Sequence, residues 1–449
     1  MIKKLIRKLI GDKNNSAVNR RLIARVEHGV KEELISPCAI RIVKTLQRSG
    51  FEAYIVGGAV RDLLLGREPK DFDVVTDATP EEVRALFRQS RIIGRRFRLV
   101  HVRCGRELVE VSTYRAPNHN GEGTQDRKGR LVRDNTFGTI DDDAIRRDFT
   151  VNALFYDPIS GDILDFCEGY EDVHQRTLRM IGSPTQRYRE DPVRMLRAIR
   201  LSEKLELTID SKTRVPFKRL ANLLDDVPIA RLYDEFLKIL KSGASLRSVE
   251  QLVRFGFHQS IFPKMSAVVD KGADGEFLRL VFRRTDERIN GGKTVSPAFL
   301  FAAVFWPDVR EAWGFSEEEK KPMGKLARAV NVVTEHMAKT FVPKRLIGDI
   351  REIWMLQGRM LFRRGKRPLG VLGHPRFRAG YDFLELRGIV GEIDPQLVEW
   401  WEQFQTLNPI ERDDWVLREQ VGRVVQGKKG SVIGRGVGVT LELLEGVSR

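Results

Sequence analysis

The stretch Ile55-Val-Gly-Gly-Ala-Val-Arg-Asp-Leu-Leu-Leu-Gly-Arg-Glu-Pro-Lys-Asp-Phe-Asp-Val-Val-Thr76 constrains this chain more than any other. A double glycine closes an apolar strand, a short helix follows, and two aspartates two residues apart open the next strand. Residues i and i+2 of a strand point to one face, so Asp71 and Asp73 are expected to present their carboxylates together while Phe72 turns to the core. Carboxylates that close repel unless a cation joins them, and hard divalent ions such as Mg2+ take oxygen ligands of this kind. Gly57 and Gly58 remove side chains where the backbone must turn sharply or touch a ligand, and the helix over Val60 to Leu65 would turn free N–H groups toward a phosphate. An Asp-x-Asp turn or an ordinary strand-to-helix turn explains each half alone. Arg61-Asp62, Gly66 and the aspartate strand at fixed distance make the combination distinctive.

Length and charge narrow the setting. A chain of 449 residues buries a large core and divides into two to four domains, which excludes a single small module. Lys and Arg number 78 against 62 Asp and Glu, a formal charge of +16 that suits a polyanionic partner without specifying it. The three cysteines, Cys38, Cys104 and Cys167, are widely spaced with no Cys-x-x-Cys, so neither a disulfide framework nor a zinc site is indicated and a reducing cytoplasm is expected. The longest apolar run, Ala298 to Trp306, is far too short to span a bilayer, and the N-terminus lacks a signal-peptide core. Residues 1–10 read as a short basic amphipathic helix able to touch an anionic membrane surface or RNA, or as a solvated terminus.

Along the chain, residues 1–37 form a polar, basic extension and residues 38–170 alternate strands and helices, with Ile92 to Cys104 and Glu107 to Tyr114 as strand candidates. Ala116 to Arg133, rich in Gly, Asn, Pro and charge, is expected to be a mobile loop. From about Asp172 the periodicity becomes helical, giving a neck over 171–265, a body over 266–405 and a tail over 406–449. Ser296-Pro297 marks a helix start. The fold class is therefore α+β: a mixed α/β head with a small sheet, then an all-helical neck and body.

Further candidates fall outside the opening motif. Val109 and Val111 alternate with Glu110 and Ser112, which puts the Glu110 carboxylate opposite the core and near the aspartate pair. Asp143-Ala-Ile-Arg-Arg-Asp-Phe-Thr-Val-Asn152 sets Arg146, Arg147 and Asp148 before an apolar run; arginine forks onto phosphate while an adjacent acid holds it or joins a metal site. In Arg189-Glu-Asp-Pro-Val-Arg-Met-Leu-Arg-Ala-Ile-Arg200, Asp191 and Pro192 read as N-cap and first helical residue. Arg194, Arg197 and Arg200 then fan over one side while Met195, Leu196 and Ile199 pack.

These motifs together resemble the nucleotidyltransferase superfamily, in the branch holding class II tRNA nucleotidyltransferases and bacterial poly(A) polymerases. The resemblance implies that Arg146, Arg147, Asp148 and Asn152 lie against the sugar and triphosphate of a bound nucleotide and that Gly57 and Gly58 lie near the triphosphate, with Arg61 and Asp62 also nucleotide-binding. It implies catalytic carboxylates at Asp71 and Asp73, the metal ligands for two Mg2+ ions or Mn2+ in their place, completed by Asp148 or Glu110. Glu-Asp-x-x-Arg is the family's nucleobase-reading element and maps to Asp191 and Arg194, with Arg197 beside them. A carboxylate accepting from an exocyclic amine and a guanidinium donating to a ring nitrogen suit adenine and cytosine alike and reject uracil and guanine. That motif alone leaves A-adding and CCA-adding enzymes unseparated.

Ile92-Ile-Gly-Arg-Arg-Phe-Arg-Leu-Val-His-Val102 is similar to the element that sets bacterial poly(A) polymerases apart, and its Arg95, Arg96 and Arg98 are expected to bind RNA or triphosphate unless they are an exposed basic strand edge. Val295 to Trp306, Pro343-Lys-Arg-Leu, Arg351 to Trp354 and Gly373 to Asp382 extend the similarity over roughly residues 45 to 405. Glu411 to Arg449 mixes acids and bases where the branch carries an arginine-rich tail, so RNA contact is expected instead at Arg359, Arg363, Arg364, Lys366 and Arg367. The expected activity is template-independent addition of AMP from ATP to RNA 3′ ends, promoting RNA turnover, with RNA-degradation or RNA-chaperone proteins as partners. The rivals are CCA addition to tRNA and an inactive RNA-binding scaffold. No His-Asp dipeptide occurs, so a fused phosphohydrolase is not indicated.

Overall fold

The computed structural model describes residues 20–94, 98–116, 136–314, 322–338, 340 and 342–416. The basic N-terminal segment, Arg95 and Arg96, nearly all of the expected loop over Ala116 to Arg133, and the tail beyond residue 416 lie outside the described residues. Two compact units are present, Met1–Phe236 with Gln251–Ile261, and Leu237–Glu250 with Phe262–Arg449.

The first unit is built on an eight-stranded sheet of order β1-β8-β7-β2-β3-β6-β5-β4. The strands are β1 (Arg21–Ile23), β2 (Ala53–Val56), β3 (Asp73–Thr76), β4 (Ser90–Ile93), β5 (Leu99–Cys104), β6 (Glu107–Thr113), β7 (Leu154–Tyr156) and β8 (Ile163–Asp165). They run from 3 to 7 residues, and their number makes the sheet wider than the small one expected. β2 lies antiparallel to β3, and β3 lies parallel to β6 with Asp73 opposite Glu110. Helix α1 (Pro37–Arg48) packs on β2, β3 and β6 through Cys38, Ala39, Ile42, Val43 and Leu46, the i, i+3, i+4 spacing of a buried stripe. Its first turn is fixed by Pro37 and by the Ser36 hydroxyl, which accepts from the Ala39 amide at 3.0 Å. A second apolar cluster joins Val56, Val75, Tyr114, Ile140, Ala144, Phe155, Leu164 and Phe166. Val75 shares its face of β3 with Asp73, so the carboxylate stands on the face this cluster covers.

Three expectations change. The strand read as continuous from Ile92 to Cys104 is an antiparallel pair, β4 and β5, because Gly94 takes φ +82° and turns the chain. Cys38 and Cys104, 66 residues apart, are disulfide-bonded with Cα atoms 5.9 Å apart. The fold sets the start of α1 against the end of β5, a closeness that spacing along the chain hides, so cysteine spacing no longer argues for a compartment. The neck is not purely helical, since β9 (Thr177–Leu178) and β10 (Thr208–Ile209) form a two-residue parallel ladder too short to leave a period in the sequence.

The rest of the first unit is helical and includes α2 (Gly58–Leu64), α3 (Ile140–Arg146), α4 (Pro184–Glu190) and α5 (Val193–Leu205). Helix α6 (Ile229–Leu240) begins in this unit. The second unit contains α7 (Pro297–Val304), α8 (Lys344–Met360), α9 (Arg367–Leu372), α10 (Phe377–Ile389) and α11 (Pro395–Thr406). Helix α7 starts at Pro297 as expected, although the Ser296 side chain makes no capping bond. A core of Leu356, Met360, Tyr381, Leu384, Trp400, Trp401 and Phe404 binds the later helices together. No helix among the described residues is long and apolar enough to cross a membrane.

Candidate active site

The site begins where β2 and β3 end side by side. Val56 is paired with Asp73, so Gly57 follows the strand directly beside the aspartate. Gly57 adopts φ +76°, a backbone that side chains rarely adopt, so the turn calls for glycine, while a Cβ there would lie in ordinary contact with Arg147 Nη1 at 3.4 Å. Arg147 is held in place by Asp143, which accepts at 3.1 and 2.7 Å, and its guanidinium lies over the Phe155 ring at 5.2 Å. One guanidinium, one glycine turn and one carboxylate thus meet at a single strand end.

Phe72 is buried between the exposed Asp71 and Asp73, as period two requires. Across the parallel ladder Glu110 stands beside Asp73, and His101 of β5 reaches Glu110 at 3.2 Å. Although Asp73 is exposed as a residue, protein packed around its carboxyl displaces water and pushes its pKa up to about 6; Glu110 and Asp71 push in the same direction, and Arg147 pulls back. Among the described residues no three His, Cys, Asp or Glu side chains form a ready metal cage. Such an open, mutually repelling set of oxygen donors fits Mg2+, which is commonly held by one or two carboxylates together with substrate phosphates.

Asp148 occupies a different place. Its Oδ2 is 2.7 Å from Arg197, and its Oδ1 accepts from Asn152 at 3.0 Å and from the Phe149 amide at 2.9 Å. Burial pushes this carboxyl up, but Arg197, Asn152, the Phe149 amide and Arg194 outweigh it and hold it below its usual value. Asn152 Oδ1 in turn accepts from Arg61 at 2.6 Å, and Arg61 is locked to Asp62 at 2.9 and 2.6 Å. Asp62, Arg61, Asn152, Asp148 and Arg197 therefore form one chain of contacts from α2 to α5. Arg61 is buried in it, with three of its nitrogens donating to protein groups.

The base-reading candidates lie at the α4–α5 junction. Asp191 ends α4, and Pro192, not Asp191, is the N-cap of α5, a shift of one residue from expectation. The shift has a physical cause: Asp191 stays extended at φ −150°, as a residue preceding proline prefers. Met195, Leu196 and Ile199 are buried while Arg194, Arg197 and Arg200 lie at intermediate depth, as the helical spacing requires. Arg194 donates to the Arg187 carbonyl at 2.8 Å and pairs with Glu190 at 3.1 Å. Asp191 pairs with Arg231 at 2.8 Å.

Several of these residues escaped sequence reasoning. Arg187 donates at 2.6 Å to the carbonyls of both Arg146 and Arg147, tying α4 to the end of α3, and Arg146 itself donates to the Ala116 carbonyl at 3.1 Å. Glu190 stands four residues before Arg194, a helical pairing distance that could have revealed it. Arg231 and His101 reach their partners through tertiary structure, with no local signal.

The expected RNA contacts divide. Arg98 is bonded to Glu81. At the end of α8 and the turn into α9, Arg359, Arg364, Lys366 and Arg367 are exposed and Arg363 is half-buried, and Arg367 lies over the Phe362 ring at 4.9 Å. Phe362 adds an aromatic surface to a basic rim, a combination suited to single-stranded nucleic acid.

Comparison with known proteins covers both units. Family profiles described as "Poly A polymerase head domain", "Probable RNA and SrmB- binding site of polymerase A" and "Polymerase A arginine-rich C-terminus" match residues 53–179, 206–268 and 318–429. Poly(A) polymerase I of Salmonella typhi is 43% identical over 404 residues, 87% of this chain and 87% of that protein. A CCA-adding enzyme of Lactobacillus helveticus is 40% identical over 201 residues, 45% of this chain and 49% of that protein. The solved structure of the Thermotoga maritima CCA-adding enzyme complexed with tRNA superposes with a TM-score of 0.50 at 20% identity, covering 89% of this chain and 86% of that one, a likeness of fold.

Proposed function

The chain belongs to the bacterial poly(A) polymerase I family, and from that premise we propose that it extends RNA 3′ ends with AMP from ATP without a template. The observation that carries this reading is the extent of similarity: 87% of the chain aligns with a poly(A) polymerase I, against 45% with a CCA-adding enzyme. In the reaction the RNA 3′-oxygen forms a bond to the α-phosphorus of ATP while the bond to pyrophosphate breaks. Asp71 and Asp73 would hold two Mg2+ ions, which activate the 3′-hydroxyl and stabilise the departing oxygen when bound. Glu110, beside Asp73, is the better third carboxylate, because Asp148 is already committed to Arg197.

The protein's own residues supply position and charge. The Gly57–Gly58 turn lets the triphosphate approach the backbone, with Arg146 and Arg147 on its flank. The contact chain from Asp62 to Arg197 holds that turn against α5, so Arg61, Asp62, Asn152 and Asp148 act by support. Asp191 accepts the adenine amino group and Arg194 donates to the neighbouring ring nitrogen. Arg359, Arg363, Arg364, Lys366 and Arg367 hold the RNA. The setting is cytoplasmic RNA processing and turnover, with an RNA-degradation or RNA-chaperone protein as partner.

Purified protein with Mg2+ and each NTP supplied separately, on a generic RNA and on tRNA lacking its 3′ CCA, tests the reading. ATP alone should extend generic RNA by many residues. Addition of C-C-A to the trimmed tRNA that stops there would assign the chain to tRNA repair, and no addition of any nucleotide would leave a binding scaffold.

A further inference from the structure

The two base-reading groups create a problem that the rest of the fold must solve. Asp191, the residue before the N-cap of α5, and Arg194 in its first turn are three residues apart, near enough along the chain for a carboxylate and a guanidinium to pair with each other. Paired, they would present no free acceptor or donor to a base. In the structure the Arg194 amide donates to the Asp191 carbonyl at 3.1 Å, but the two side chains are engaged elsewhere, Arg194 with Glu190 at 3.1 Å and Asp191 with Arg231 at 2.8 Å.

We propose that Arg231, 40 residues away on α6, is a specificity-positioning residue that keeps the Asp191 carboxylate aimed at the nucleobase and away from Arg194. The inference rests on the reading of Asp191 and Arg194 as the base-reading pair. Asp191 Oδ1 accepts from the Val193 amide at 3.3 Å and Oδ2 from Arg231, so both oxygens are fixed in direction. Each carboxylate oxygen accepts more than one hydrogen bond, so an incoming amino group binds without displacing Arg231. Helix α6 is itself anchored one turn further on, where Glu235 accepts from Arg200 of α5 at 2.5 Å. The Arg231 side chain is 43% exposed, and a rim ion pair of that kind adds little to stability, so geometry is the role left for it.

The test measures kcat/KM for ATP, CTP and UTP in Arg231→Ala, Arg231→Lys, Asp191→Ala and the Arg231→Ala/Asp191→Ala double variant of the full chain, with RNA affinity and unfolding midpoint alongside. Arg231→Ala should lower the ATP over UTP ratio by roughly tenfold, the scale of one unpaired polar contact at a specificity site. Arg231→Lys should recover part of the ratio, and the double variant should lose little more than Asp191→Ala alone. RNA affinity and unfolding midpoint should stay near wild type. The proposal is overturned if Arg231→Ala leaves the ratio intact while Asp191→Ala reduces it, or if all three nucleotides fall equally. If Asp191→Ala also leaves the ratio unchanged, the base-reading assignment itself fails and takes the proposal with it.

Discussion

Two of the charged clusters among the described residues are treated in opposite ways. In the second unit the fully buried Arg387 donates to Glu392 at 2.9 Å and to Gln357 at 3.1 Å, and its guanidinium lies over Trp306 at 4.6 Å. Trp306 donates to the same Glu392 at 2.9 and 3.1 Å, and Gln357 donates onward to the Gly380 and Ile353 carbonyls. Burial pulls the Arg387 pKa down while Glu392 pulls it back. In the first unit, Asp71, Asp73 and Glu110 collect like charges at a strand end, and Asp73 keeps its proton to about pH 6. Charge that the fold neutralises is structural; charge that it assembles and leaves in conflict is waiting for something else to neutralise it.

That contrast makes ranked predictions. Asp71→Ala or Asp73→Ala should reduce AMP addition at least about a thousandfold, the scale of losing a metal's stabilisation of developing charge, with no fall in unfolding midpoint. Near-normal turnover in either variant would remove the two-metal assignment. Glu392→Ala should behave in the reverse sense, lowering stability by about 3 to 5 kcal/mol in denaturant unfolding because it leaves Arg387 buried without its carboxylate. A smaller loss, about 2 kcal/mol, is expected for Asp148→Ala, which strips partners from Arg197 and Asn152. If Asp148→Ala keeps full stability yet loses all turnover, Asp148 belongs with the open carboxylates and not with the supporting network.

Acidity sharpens the same comparison. Asp73 titrates near 3.8 when unexposed to its neighbours and near 6 in the fold, so between those values the native state binds more protons than the unfolded chain. Its contribution to stability is therefore present below about pH 4 and is lost as pH rises through about 6 in metal-free protein. Mg2+ with a nucleotide should restore the loss, seen as a larger rise in unfolding midpoint at pH 7.5 than at pH 5. The smallest effect is expected at the exposed basic rim. Replacing Arg364, Lys366 and Arg367 with serine should leave unfolding unchanged and make the salt dependence of RNA binding shallower by roughly 2 in log–log slope.

How much of this could be read beforehand depends on the distance over which each feature is determined. The Gly57 turn, the alternation of Asp71, Phe72 and Asp73, and the apolar stripe of α5 are set by neighbours within a few residues, and all were legible. The Glu110 face was legible as well, but its register against Asp73 was not, because parallel pairing is decided by the intervening chain. Arg61 and Asp148 were read as facing the nucleotide or metal; their partners, Asn152 and Arg197, come from other elements and draw both inward. The disulfide between Cys38 and Cys104 and the pairing of Arg231 with Asp191 lie beyond local pattern for the same reason.

One variant tests the central claim in both its aspects, since Asp73→Asn keeps the shape of the side chain while removing the charge, one acceptor oxygen becoming an NH2 donor. Its metal-free unfolding midpoint at pH 7.5 and its AMP addition to generic RNA with Mg2+ are measured together. The account predicts a midpoint above wild type, because repulsion with Asp71 and Glu110 is relieved, and no detectable addition. A lower midpoint with substantial addition would contradict it, placing Asp73 among the residues that hold the fold together.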